Sequence, residues 1–143
     1  MQPESSSSIV AELDAIILRS REAFKSRDAT LSMEVFSPEL QYRQADGKVI
    51  DFAQLRRDVV RQITTMHSGD TTFIRESLEC VGDQATELYR QDVWYEVKAF
   101  LIIRRRWKVA RRVRRIWRKT SQQWRVTEVD VLDEQITSRW GLF

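Results

Sequence analysis

The segment from Arg104 to Lys119, RRRWKVARRVRRIWRK, holds ten Lys or Arg in sixteen residues, with Trp107, Val109, Val113, Ile116 and Trp117 between them. Any fold of this chain must pair or solvate those charges while covering those apolar groups. As a helix the segment is a basic amphipathic rod suited to RNA, an acidic partner or a membrane surface; as a strand it is half of a hairpin whose inner face can build a pocket. Ile103, Trp107, Ala110, Val113 and Trp117 do make a helical stripe, and Arg is a good helix former. Two features favour the strand. No capping residue opens a helix here, and a short polar turn leads into Trp124-Arg-Val-Thr-Glu-Val-Asp-Val131, whose alternating β-branched residues call for a strand partner.

The charge balance fits internal pairing. The net charge is +3, yet without the run fourteen basic residues face twenty-one acidic ones, leaving the remainder near −7. No Asp or Glu occurs from Val97 through Thr127. Such asymmetry marks either a polyanion-binding face or basic strands laid against acidic neighbours or a second subunit. At 143 residues and 42% hydrophobic, the chain suits a single domain with one core.

Along the chain, Ile9, Leu13, Ile16, Ile17 and Phe24 define one face of a first helix over Ile9–Lys25, after a polar leader spanning residues 1–8 that reads as disordered. Leu31, Met33, Val35 and Phe36 fit a short second helix that must stop before Pro38. Glu39–Gln44 reads as a strand and Ala45–Lys48 as a turn. Asp51 and Gln54 resemble a capping box opening a third helix through Phe52, Leu55, Val59, Ile63 and Met66, with Gly69 as its stop. β-rich segments come next: Thr71–Val81, Gln84 to about Ile103, the basic run, and Trp124–Leu132. Helices first and a strand meander afterwards predict an α+β domain over residues 9–135, with three helices on one face of a curved sheet, and a tail at 136–143.

Pairing the run with Trp124–Leu132 through a two- or four-residue turn places Trp117, Trp124, Val126, Val113, Arg115, Arg111, Glu128 and Asp130 on one face. That face grades from aromatic to charged, as a pocket requires. Glu128 and Asp130 are the candidate catalytic acid and base, because mutual repulsion and facing arginines both move a carboxyl's proton affinity. The alternative is a cross-strand salt-bridge ladder. Arg111 and Arg115 are candidate anion or oxyanion partners, Trp117 the pocket floor, and Tyr42, Tyr89 and Trp94 polar-tipped aromatics near the expected cavity. The other face carries Arg112, Arg114, Ile116, Arg118, Arg125, Thr127, Val129 and Val131.

The order of elements, with Phe36-Ser-Pro-Glu-Leu-Gln-Tyr42, Asp46-Gly-Lys48 and the closing Ile116-Trp-Arg-Lys-Thr-Ser-Gln-Gln-Trp124-Arg-Val126, resembles the nuclear transport factor 2-like superfamily, in particular its SnoaL-like and ketosteroid-isomerase-like branches. The resemblance spans roughly Ile9 to Leu132. It implies a cone-shaped α+β barrel, a homodimer formed through the sheet, and a pocket between helices and sheet that takes a hydrophobic small molecule. The superfamily includes isomerases, cyclases and dehydratases as well as binding modules without chemistry, so fold alone does not assign a reaction. Where many relatives carry histidines on the final strand, this chain has Glu128 and Asp130.

Other chemistries lack their residues. There is no glycine-rich phosphate loop and no Cys or His cluster, so no cofactor and no metal is expected. His67 reads as a favourable charge at a helix C-terminus and Cys80 as a small buried hydrophobe. Cys80, the only cysteine, allows no intrachain disulfide, and no signal peptide is apparent, so a cytoplasmic location is expected. The longest apolar segment, Ala99–Ile103, is too short to span a bilayer, and no membrane association is expected. Three functions compete: a small-molecule binder with lyase- or isomerase-like acid-base chemistry, a non-catalytic dimeric interaction module, and a nucleic-acid binder that stacks bases on Trp107 and Trp117.

Overall fold

The computed structural model describes residues 6–142. Three helices, α1 (Ser6–Lys25), α2 (Ala29–Met33) and α3 (Phe52–Thr65), pack on one six-stranded sheet made of β1 (Phe36–Arg43), β2 (Val49–Asp51), β3 (Met66–Val81), β4 (Gln84–Lys98), β5 (Ile103–Thr120) and β6 (Gln123–Leu142). The strand order is β2-β1-β6-β5-β4-β3, antiparallel throughout except for the β1–β6 pair. The architecture is thus α+β, with the basic run as the long central strand β5.

Local chemistry accounts for the helix boundaries. The Asp28 side chain accepts the Leu31 N–H to open α2, and Asp51 accepts the Gln54 N–H at 2.9 Å to open α3. α1 begins at Ser6, so three of the serines expected in a disordered leader form its first turn, while residues 1–5 lie outside the described residues. Phe36, expected in the second helix, instead opens β1.

Two boundaries differ for packing reasons. α3 ends before Met66, and Gly69 lies inside β3; a Cβ there would stand 2.9 Å from the Trp94 carbonyl oxygen and 3.0 Å from the Phe24 ring. This glycine lets α1 approach the sheet closely, and it stops no helix. His67 is accordingly an exposed strand residue. Residues 136–142, expected as part of a separate tail, extend β6 alongside β5 up to Leu142 opposite Ile103.

The core lies between the helices and one sheet face. Leu13, Val35, Leu40, Ala85, Tyr89, Val113, Trp117, Trp124, Val126, Val129 and Val131 are buried together, and Cys80 packs half-buried against them.

The β5–β6 hairpin turns through Ser121 and Gln122, with Thr120 opposite Gln123 and Lys119 opposite Trp124. Both turn residues have positive φ, 50° and 66°, a conformation that favours Asn-Gly in two-residue hairpins. Replacing Ser121→Asn and Gln122→Gly together is expected to raise stability by about 1 kcal/mol. The check is an increased urea midpoint with an unchanged slope.

Candidate functional site

The facing of β6 decides which side chains meet. Near the turn the register is as the alternation predicts: Trp117 pairs with Val126, and both are fully buried. One extra residue on β6 then interrupts the ladder between the Trp117–Val126 and Ile116–Glu128 pairs, and a second between Val113–Val131 and Arg112–Asp133. Each such bulge reverses the facing of the strand residues beyond it. Val129 and Val131 therefore turn inward and are buried, while Glu128 and Asp130 turn to the outer face.

This corrects the expected placement of the two carboxylates. Asp130 accepts from Arg114 Nη2 at 3.2 Å and lies 4.0 Å from Arg43 Nε; Glu128 is exposed beside them in a shallow outer depression. After the second bulge the alternation returns, and Glu134 comes to the inner side opposite Arg111. Arg111 Nε donates to Glu134 Oε2.

The Arg111–Glu134 pair forms one wall of a pocket of about 450 Å³. β1 contributes Tyr42, β2 contributes Ile50, α3 contributes Leu55, Asp58 and Gln62, and β6 adds Val131. Burial raises the Tyr42 hydroxyl above the ordinary phenol value, against the opposing pull of Arg111. Burial alone would lower the Arg111 value, but Tyr42 and Glu134 outweigh it, and the guanidinium is held charged. The pocket thus combines a fixed cation and a phenol with the carboxylates of Glu134, Asp58 and Asp46, and its apolar groups are Ala45, Ile50, Leu55 and Val131.

Deeper in the core stands a second ionic group. Glu87 is buried, with one oxygen accepting from Arg115 Nε and from the Trp117 indole N–H at 3.0 Å, and the other from Arg75 Nε at 2.7 Å. Arg75 also donates to Asp14 of α1 at 2.8 Å. The Arg115 guanidinium lies 4.0 Å over the Tyr89 ring and 4.8 Å from Trp117. Its Nη2 has no hydrogen-bond partner among the described residues. Tyr89 itself is pushed up to about 12 by burial, despite Arg115.

Of the expected site residues, Tyr42 and Arg111 line the pocket, whereas Tyr89, Arg115 and Trp117 form the buried layer beside it. Trp94 faces the opposite side, under Arg106 at 4.3 Å. With Trp117 fully buried, it offers no face for stacking on a base. On the outer face Arg112 is engaged by Glu76, as Arg114 is by Asp130. Neither Glu134 nor Glu87 was among the expected site residues. Glu87 was within reach, since Ala85, Glu87 and Tyr89 alternate on one strand face; Glu134 was not, because two bulges precede it.

A larger hollow of about 640 Å³ opens beside the β5–β6 turn, between α1, α2 and Trp124. Its polar groups already answer one another: Arg19 meets Glu34 at 3.2 Å, and the Trp124 indole donates to Glu12 at 2.8 Å. It lacks the convergent polar set of the smaller pocket.

No protein-family profile matches the chain, and no curated protein matches it. Solved structures do. A conserved protein from Planctomyces limnophilus is similar with a TM-score of 0.77 and 9% identity, covering 87% of this chain and 94% of that one. A protein from Streptomyces avermitilis, assigned to the dehydratases of the NTF2-like family, gives 0.68 at 9% identity, covering 89% and 97%. A hexachlorocyclohexane dehydrochlorinase, LinA type 2, gives 0.68 at 7% identity, covering 95% and 89%. The chain has the fold of the nuclear transport factor 2-like superfamily.

The buried Glu87 group should make the fold sensitive to acid. Burial would raise its carboxyl, but Arg115, Trp117 and Arg75 together hold it below the ordinary carboxylate value. A folded value below the unfolded one means stability that is complete above the unfolded value and is lost as pH falls through the folded one. Urea midpoints should therefore drop steeply on acidification through the carboxylate range, and Glu87→Gln should flatten that drop. Glu87→Ala, which strands Arg115 in the core, is expected to cost about 3–5 kcal/mol.

Proposed function

We propose that the chain is a small-molecule-binding protein of the SnoaL-like type, whose pocket takes a hydrophobic ligand bearing a carbonyl or carboxylate. The carrying observation is the convergence of Tyr42, Arg111 and Glu134 on one cavity walled by Ile50, Leu55 and Val131. Its volume of about 450 Å³ lies in the range of small-ligand sites, and fixed polar groups beside an apolar patch are how such sites orient a ligand. Arg111 offers charge and directed N–H donors to an oxyanion, and the Tyr42 hydroxyl a further donor.

The chemistry this set supports is proton transfer at carbon. Two structural neighbours are named for eliminations, dehydratase and dehydrochlorinase, in which a base removes a C–H proton as a leaving group departs. In this chain Glu134 takes the proton from the carbon next to the ligand carbonyl, and the electron pair moves onto the carbonyl oxygen, held by Arg111 and Tyr42. The pair then either expels a leaving group or recaptures the proton at another carbon. Glu134 takes the role first expected of Glu128 and Asp130.

A thermal-shift screen of hydrophobic acids and polyketide-like carbonyl compounds tests the reading. Hits should raise the melting temperature of the native chain, and Arg111→Gln should weaken them about 10- to 100-fold. Glu134→Gln should leave binding within a few-fold while abolishing solvent-deuterium exchange at the ligand's acidic carbon. The reading fails if no compound binds, or if hits are indifferent to Arg111→Gln.

A homodimer through the outer sheet face belongs to the same proposal. That face carries exposed Ile74, with Leu88 and Ile116 half-buried among the paired arginines. Light scattering after size exclusion should give twice the chain mass, reduced to the monomer by Ile74→Glu.

A further inference from the structure

The far end of the sheet has a composition unlike the rest of the surface. β4 and β5 are joined by a tight turn at residues 99–102, closed by hydrogen bonds between Phe100 and Ile103. At its tip stand Phe100, Leu101 and Ile102, 68%, 75% and 62% exposed. The β3 ladder begins at Met66 opposite Val97, and Leu142, the last described residue of β6, lies opposite Ile103, so the tip projects past the described residues of both neighbouring strands. Just behind it lie six cations, Lys98, Arg104, Arg105, Arg106, Lys108 and Arg139; of the carboxylates on the same strand rows, Arg104 and Arg106 engage Glu96 at 3.3 and 3.8 Å, and Arg21 engages Asp70 at 2.9 Å.

Aromatic groups fill the same collar. Arg105 is sandwiched between Trp107 at 4.2 Å and Trp140 at 5.0 Å, Trp107 stacks on Tyr95 at 6.4 Å, and Arg106 covers Trp94 at 4.3 Å. Three layers are therefore arranged along one hairpin: aliphatic and aromatic at the tip, then Trp and Tyr, with cations among them.

We propose that this hairpin tip docks on an anionic lipid bilayer, with Phe100, Leu101 and Ile102 entering the acyl boundary and the arginine collar meeting the headgroups. The spacing fits. At about 3.3 Å per strand residue, Arg104 to Arg106 stand roughly 3–10 Å behind Ile103, matching the depth of about 5–10 Å to which interfacial elements sink. Trp and Tyr concentrate at that headgroup level, and long cationic side chains there reach outward to phosphate while their stems stay in apolar surroundings. No helix among the described residues is long and apolar enough to cross a membrane; a surface contact requires none.

Other occupants fit less well. A second copy meeting this end about a two-fold axis would bring the same cations face to face, with Glu96 and Asp70 already engaged within each chain. A single-stranded nucleic acid needs open aromatic faces, whereas Trp94 and Trp107 are covered by arginines and the outermost groups include two aliphatic side chains. An acidic peptide needs a groove for its anchors, and this surface is a projecting tip.

The test is flotation of the full chain with vesicles of phosphatidylcholine alone and of phosphatidylcholine containing about 30% phosphatidylserine. The chain should float with the anionic vesicles at least about tenfold better than with the neutral ones, with its tryptophan emission shifting to the blue. F100S/L101S/I102S should lower anionic binding about tenfold or more, and K98E/K108E should remove the anionic preference. All five positions are exposed, so circular dichroism and urea midpoints should stay at native values. The proposal is overturned if the native chain fails to float with anionic vesicles, binds neutral ones equally, or binds as well after the triple replacement. It is also overturned if light scattering shows a dimer that the triple replacement splits, which would make the tip a contact between copies.

Discussion

Glu87 sits where the sheet, the first helix and the basic strand are tied together. Its two oxygens take donors from β3 through Arg75 and from β5 through Arg115 and Trp117, while Arg75 reaches on to Asp14 of α1. A carboxylate in the core is costly to desolvate, and so is a guanidinium; each is tolerable here because the other is present with directed hydrogen bonds. The arrangement fixes side-chain facing as much as energy. Arg115 can occupy the inner face only while Glu87 stands opposite it, and Tyr89, under the Arg115 guanidinium, is positioned beside the pocket as a result.

The same logic distributes the basic run. Its odd-numbered residues from Arg105 to Lys119 lie on the inner side, among aromatic rings and the carboxylates of Glu87 and Glu134; its even-numbered ones lie outside, where Glu76, Asp130 and Glu96 meet Arg112, Arg114 and Arg106. The segment that dominates the sequence by charge is thus largely consumed by internal pairing along its middle. Only toward the β4–β5 tip does cationic charge outrun the carboxylates.

Much of the architecture was legible because it rests on local chemistry. Asp28 and Asp51 cap helices, the apolar stripe of α1 buries Leu13, and Val113, Trp117 and Trp124 alternate into the core. The illegible part depends on events without a local signal. Gly69 looked like a helix stop, since its contact with Phe24 and the Trp94 carbonyl lies far away in sequence. The bulges in β6 have no glycine or proline to announce them, yet they determine that valines rather than carboxylates face the core. Tyr42 and Arg111 were found from residue type and strand position; their partner Glu134 lay beyond the point where simple alternation holds.

The paired bulges have an evolutionary meaning. Because one cancels the other, the stretch from Glu128 to Val131 behaves as a short reversible cassette inside an otherwise fixed strand. Moving the first bulge to the far end of that stretch would set Glu128 opposite Arg115 and Asp130 opposite Val113, exchanging two valines for two carboxylates on the concave side, and moving it back would restore the apolar wall. Changes that only shift where the strand bulges can therefore convert the lining from greasy to acidic without replacing any side chain within the cassette, a route to new chemistry unlike replacement of the lining residues themselves.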